Sequence, residues 1–307
     1  MQIVLLGTAA GGGSPQWNCN CTVCAAVRKK KPGTQPRTES SVAISADGHN
    51  WFLLNASPDI RTQFAHFPPL HPPRGVKRGS KVQGVLVTNA DLDHTLGLLL
   101  LREGGEKIPV HASSAVREVL ENDSAIGRVL KSFCGVKWIK PPRRLAPLLR
   151  ADGSPSGLLY QAIDLKGGPP RFSPPQRSEH TGHSVGYRII DERTGGRLLF
   201  LPDVAATHSG LGERLSECDV LLFDGTFWSE NEMSARGVGQ LAAARMGHWP
   251  ISGPQGSLSL LARLSVRHKV YIHINNTNPI LRETTPEHRA VNRAGLTVGR
   301  DGMRFEI

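Results

Sequence analysis

The chain has 307 residues, 39% hydrophobic and 21% charged, with a formal net charge of +11 at pH 7. That composition supports a sizeable core and excludes global disorder, and no apolar run approaches the roughly 20 residues that span a bilayer. The basic balance suits an acidic partner, but the charges are scattered and the densest run, Arg28-Lys29-Lys30-Lys31, precedes a proline. A solvated basic surface is expected, and nucleic-acid binding is not.

In chain order, Met1–Gly7 lacks the length and basic flank of a signal peptide and reads as a first strand over Ile3–Leu6. A cytoplasmic protein without membrane insertion is therefore expected. "GTAAGGGSPQ" lacks the Gly-Lys-Ser/Thr ending of a phosphate loop and reads as a flexible turn. Next comes "WNCNCTVC", in which Cys19, Cys21 and Cys24 offer three thiolates in one short loop. Such clustering in a reducing compartment points to a structural zinc ion, with no fourth ligand apparent. Apolar runs predict strands at Ser41–Ile44, Trp51–Leu54, Gly84–Val87, Pro109–His111, Val185–Ile190, Arg197–Leu201, Val220–Phe223 and Val270–Ile274. Helices are expected over Thr95–Arg102, Ala115–Glu121, Val238–Met246, Leu258–Ser265 and Pro286–Ala294, the last capped by Thr285. The intermixed elements indicate one layered α/β domain over 1–307. It carries a cysteine-rich zinc loop at 17–26 and Pro-rich insertions near 67–81 and 141–177, the second a candidate lid.

Several predicted strands end in metal-competent or polar residues: Asn55 to Asp59, Thr88 to His94, Asp203, Asp224 and His273. Side chains on one rim of a sheet can converge on a site. The densest group is "TNADLDHTLG", residues 88–97, where Asp91, Asp93 and His94 stand between a strand and a helix. Carboxylates and imidazoles hold Zn, Fe or Mn; either aspartate could instead cap the helix.

This motif resembles the T-H-x-H-x-D-H-x-x-G signature of the metallo-β-lactamase superfamily. His180 in "SEHTGHSVGYRI", Asp203 in "LFLPD" and His273 in "VYIHINNTNPIL" follow in the superfamily's order. The resemblance implies an αββα sandwich of two mixed sheets flanked by helices, with metal at one rim. It also implies Asp93, His94, Asp203 and His273 as ligands. Asn89 and Asp91 replace the superfamily's first two histidines, so one of its two metal sites should be weak or empty. Two histidines with a carboxylate suit Fe(II), and Zn can occupy the same set. Asp91, and whichever of His180 and His183 faces the site, become candidate catalytic or proton-handling groups, as does His248 in "GHWPISGPQGS".

Together with "LLNASPDIR", "PDVA", "LLFDGTFW" and "HINNTNPIL", these motifs resemble the pyrroloquinoline quinone (PQQ) synthesis protein B family. The resemblance implies an iron- and oxygen-dependent hydroxylase acting on the tyrosine ring of a peptide-derived Glu-Tyr precursor of PQQ, with other pathway proteins as partners. A non-catalytic carrier that helps move PQQ or its precursor to the periplasm is the alternative. Phosphodiester hydrolysis is a third reading, which the lost histidines weaken because that chemistry uses two metals.

Overall fold

The strands form because both of their faces are covered, which calls for continuous apolar runs rather than strict alternation. Trp51-Phe52-Leu53-Leu54 is entirely buried: Phe52 and Leu54 join a core with residues of the other sheet, while Trp51 and Leu53 join a second core under helices. The computed structural model describes residues 1–179, 181–206 and 211–307.

The strands, in chain order, are β1 (Gln2–Gly7), β2 (Ser41–Ser45), β3 (Trp51–Leu54), β4 (Val82–Leu86), β5 (Ile108–His111), β6 (Val136–Ile139) and β7 (Ala146–Leu149). They continue with β8 (Pro155–Leu165), β9 (Ser184–Asp191), β10 (Arg197–Leu201), β11 (Val220–Asp224), β12 (His268–Ile272), β13 (Thr297–Val298) and β14 (Arg304–Glu306). Among the described residues they make two seven-stranded sheets, ordered β14-β1-β2-β3-β4-β5-β6 and β13-β12-β11-β10-β9-β8-β7. In the first, β1, β2 and β3 pair antiparallel and β3 to β6 run parallel. The second repeats this, with β8, β9 and β10 antiparallel and β10 to β13 parallel. The inner faces meet in one core, and helices pack on the outer face of each sheet, giving the expected αββα sandwich.

Three expectations need correction. The stretch 141–177 holds β7 and the eleven-residue β8, which pairs with β7 just before it and with β9 from Leu158 to Leu165; the flanking prolines and glycines concealed both strands. The expected helix Val238–Met246 is a loop apart from one 3-10 turn at Ala244–Met246. Val238 and Leu241 have no face to bury against and stay exposed, and Ala243 and Ala244 instead give their N–H groups to Glu230. The expected helix Thr95–Arg102 is a single α-turn, Leu92–Thr95, followed by a 3-10 segment, Leu96–Leu101. Gly97 explains the break: its N–H bonds Ala56 O (2.9 Å), and any Cβ there would lie 2.2 Å from Ser57 O. Among the described residues, no helix is long and apolar enough to cross a membrane.

Candidate metal centre

The C-terminal ends of the parallel strands of both sheets face one rim, and the polar strand ends meet there. The helical turn Leu92–Thr95 after β4 supplies Asp93 and His94, the end of β10 is followed by Asp203, and His273 follows β12. Asp93, His94 and His273 form one triad whose donor atoms lie within 4.8 Å of one another; Asp203, His248 and His273 form another. His273 Nε2 is 3.1 Å from Asp93 Oδ2 and 3.7 Å from Asp203 Oδ1. The His94 and His273 rings stand edge to face, 5.0 Å apart, and His248 stacks on His273 at 5.3 Å.

Each half of the molecule orients its histidine with a threonine. After β4, Thr88 Oγ1 donates to Asn55 Oδ1 (3.1 Å), which leaves its lone pairs to accept from Nδ1 of His94 (3.0 Å). After β11, Thr226 Oγ1 donates to Asp224 Oδ1 (2.6 Å) and accepts from Nδ1 of His273 (2.8 Å). Both arrangements suit the tautomer that carries its proton on Nδ1, in which Nε2 is the ligating atom. Asn55 and His273 hold positive φ angles of 63° and 53°, a conformation uncommon for residues other than glycine. The local chain is bent there to aim these groups.

The donor set fits a metal ion. Nε2 of His94 is buried with no hydrogen-bond partner and stands 3.7 Å from Asp93 Oδ2, so an acceptor faces an acid with nothing between them to satisfy it. Against its burial, His94 and His273 hold the Asp93 carboxyl well below the usual carboxylate range. Burial alone would lower His273, but Asp203, Asp93 and Asp224 overcome it and push it up to about 10. A cation that binds here displaces that proton, as metal ligation requires.

The remaining expected site residues are placed as follows. Asn89 does not offer a ligand; its Nδ2 donates to Asp203 Oδ2 (3.0 Å) and so steadies that carboxylate. Asp91 is exposed at the rim, with its N–H bonded to Asn89 Oδ1. His248 comes into the centre and bonds Asp224 Oδ2 through Nδ1 (2.9 Å). His183 is outside both triads: it is buried, and its Nε2 meets Arg177 O (2.8 Å). His180 lies outside the described residues. Sequence reading gave no role to Thr88 or Thr226, nor to Glu39, whose Oε1 accepts from Gly12 N (2.6 Å). Burial, with Asp93 and Asp59 nearby, raises Glu39 to about 7.

A second cluster lies close along the chain. Cys19, Cys21 and Cys24 bring their sulfurs within 4.8 Å of one another at the start of the helix Thr22–Arg28. Asn276 closes a further side, its carbonyl oxygen 3.5 Å from Cys21 Sγ and its Nδ2 3.2 Å from Cys24 Sγ. Burial pushes the Cys21 thiol up to about 12.

Residues 50–274 match the beta-lactamase superfamily domain. Coenzyme PQQ synthesis protein B of Methylococcus capsulatus is 40% identical over 313 aligned residues, with both chains covered in full. Its counterpart in Pseudomonas syringae pv. tomato is also 40% identical, over 308 residues and the whole of both chains. The crystal structure of Zn(2+)-bound PqqB from Methylobacterium extorquens matches with a TM-score of 0.90 at 35% identity, covering 100% of each chain. A diphosphatase of the PhnP family matches at a TM-score of 0.68 and 20% identity, over 100% of this chain and 96% of its own, which speaks to the fold alone. With this sandwich and this coverage, the chain belongs to the beta-lactamase superfamily and, within it, to the coenzyme PQQ synthesis protein B family.

Proposed function

We propose that the protein acts in PQQ synthesis as an iron-dependent, oxygen-using hydroxylase of the tyrosine ring in a Glu-Tyr-derived precursor. The observation that carries this reading is the convergence of Asp93, His94 and His273, two imidazoles and one carboxylate, around a point where His94 Nε2 has no other partner. Bound there, Fe(II) would supply oxygen activation, for which two histidines and a carboxylate with open positions are suited. Thr88 and Thr226 hold the two rings in their ligating tautomers. Asn89, committed to Asp203, disfavours a second ion of the kind that two-metal hydrolysis uses. Asp91, exposed at the rim, would in this reading exchange protons between solvent and the centre. Transfer of one oxygen atom from O2 to the ring also consumes two electrons and two protons, so an external reductant is part of the reaction. The cysteine cluster, with Asn276 beside it, serves in this reading as a structural zinc site that fixes the chain around the centre.

The experiment is anaerobic loading with Fe(II), then oxygen, a reductant and a Glu-Tyr-derived substrate, with the product read by mass spectrometry. The expected product is heavier by one oxygen atom, and zinc analysis should find the cysteine site filled in both wild type and His94→Ala. Substrate bound but unchanged would support the carrier reading, and phosphodiester cleavage would support the hydrolase. Turnover by His94→Ala at the wild-type rate would overturn the assignment.

A further inference from the structure

A cavity lies on the outer face of the first sheet. It measures about 590 Å³ and opens between β1, the loop Gly12–Pro15, the helix Ile60–His66 and the turn that leads into β14. That volume is in the range of small-molecule sites. Its notable occupant is Arg37, only 6% exposed. Arg37 Nη1 donates to Thr8 Oγ1 (3.2 Å) and to Gly299 O, but its Nε is buried with no partner. Among the described residues, no carboxylate lies within ion-pair distance of it. The neighbouring acid, Asp301, uses its two oxygens to accept from Thr8 Oγ1 and from Thr38 N and Oγ1.

The nearest acid, Asp301, reaches this guanidinium only through Thr8, so Arg37 is buried without a direct ion pair, and a buried guanidinium is ordinarily matched by an anion in contact with it. The walls beside it are apolar: Val4, Leu6 and Phe67 belong to one packed cluster. A second cation, the Arg304 guanidinium, stands 5.4 Å over the Phe67 ring. Asp59, the other acid of the wall, accepts the Glu39 N–H through Oδ2 (2.9 Å).

We propose that this cavity is a second ligand site, which takes a small carboxylate with a ring-sized apolar body, the carboxylate on Arg37 and the body against Leu6 and Phe67. The site shares a wall with the metal centre without using its ligands. Gly12 and Gly13 line the cavity, and a Cβ on Gly11 would lie 3.4 Å from Asp93 Oδ2.

The test titrates the full-length protein with 4-hydroxyphenylacetate and with its neutral amide, and follows ligand NMR signals. Wild type should bind the acid at least tenfold more tightly than the amide. Arg37→Met should remove that preference. Thr62→Trp, an exposed helix position that would fill the cavity from its edge, should weaken the acid at least tenfold with metal content unchanged. Thr62→Trp decides the matter if Arg37→Met does not fold. Absence of a preference in wild type overturns the proposal, and so does binding that survives Thr62→Trp, since that would put the probe on the metal centre or elsewhere.

Discussion

His111 and His273 occupy equivalent places in the two sheets and have opposite chemistry. His111 is the last residue of β5, His273 the first after β12, and each strand is third in its sheet's parallel run. They are 2% and 3% exposed, so burial does not distinguish them. His111 turns into the core between the sheets, where Nδ1 meets Tyr160 OH (2.9 Å) and Nε2 has no partner. Burial, with Lys137 nearby, lowers it to about 4. His273 faces Asp203, Asp93 and Asp224 and is raised to about 10 against the same burial. A buried imidazole is thus not in itself a functional signal. The carboxylates around it decide whether it is an inert neutral ring or a candidate ligand.

The comparison breaks most sharply on His273 itself. His273→Ala should strip the metal from the rim and lower turnover by about a thousandfold or more, whereas His111→Gln should leave metal content unchanged; metal analysis and the product assay read both. The orientation of the ring comes next. Thr226→Val removes the partner of His273 Nδ1 and should weaken rim-metal affinity by roughly 10- to 100-fold, read by competition with a chelator.

The last effect concerns the inert histidine, bears on stability rather than on the metal, and appears only in acid. His111 has a folded pKa of about 4, below the roughly 6.5 of the unfolded chain. Its neutral form is therefore fully favourable above about pH 6.5. As the pH falls from there towards 4, the unfolded chain takes up a proton that the folded chain refuses, and stability is lost. The loss is on the order of 3 kcal/mol. His111→Gln should flatten this part of the pH dependence in denaturant titrations; an unchanged slope between pH 6.5 and 4 would show that the ring is not held neutral.

The strands that pack on both faces were legible because they are apolar throughout, as at Val220-Leu221-Leu222-Phe223 and Trp51–Leu54. Strand β8 was not, because its first residues lie in a Pro- and Gly-rich stretch and it is held between β7 and β9, of which β7 is itself hidden among prolines. Within the site, Asp93, His94, Asp203 and His273 stood out by residue type and order along the chain. The threonines did not, since a threonine at a strand end is ordinary and its role exists only through partners such as Asn55, 33 residues from Thr88. Arg37 was hidden for a related reason: its charge merged with those of a basic chain, and only its enclosure sets it apart.

His273 and Asn276 are three residues apart in one turn, yet one faces the rim centre and the other the thiols. About 10 Å of extended chain is the most that can separate their backbones, and Asn275 and Asn278 tie that turn to Thr226 and Gly225. The two clusters therefore share a single short tether. Slack introduced at the sulfurs is expected to reach the imidazole through this turn, which makes the thiol cluster a support for the ring as well as a site of its own.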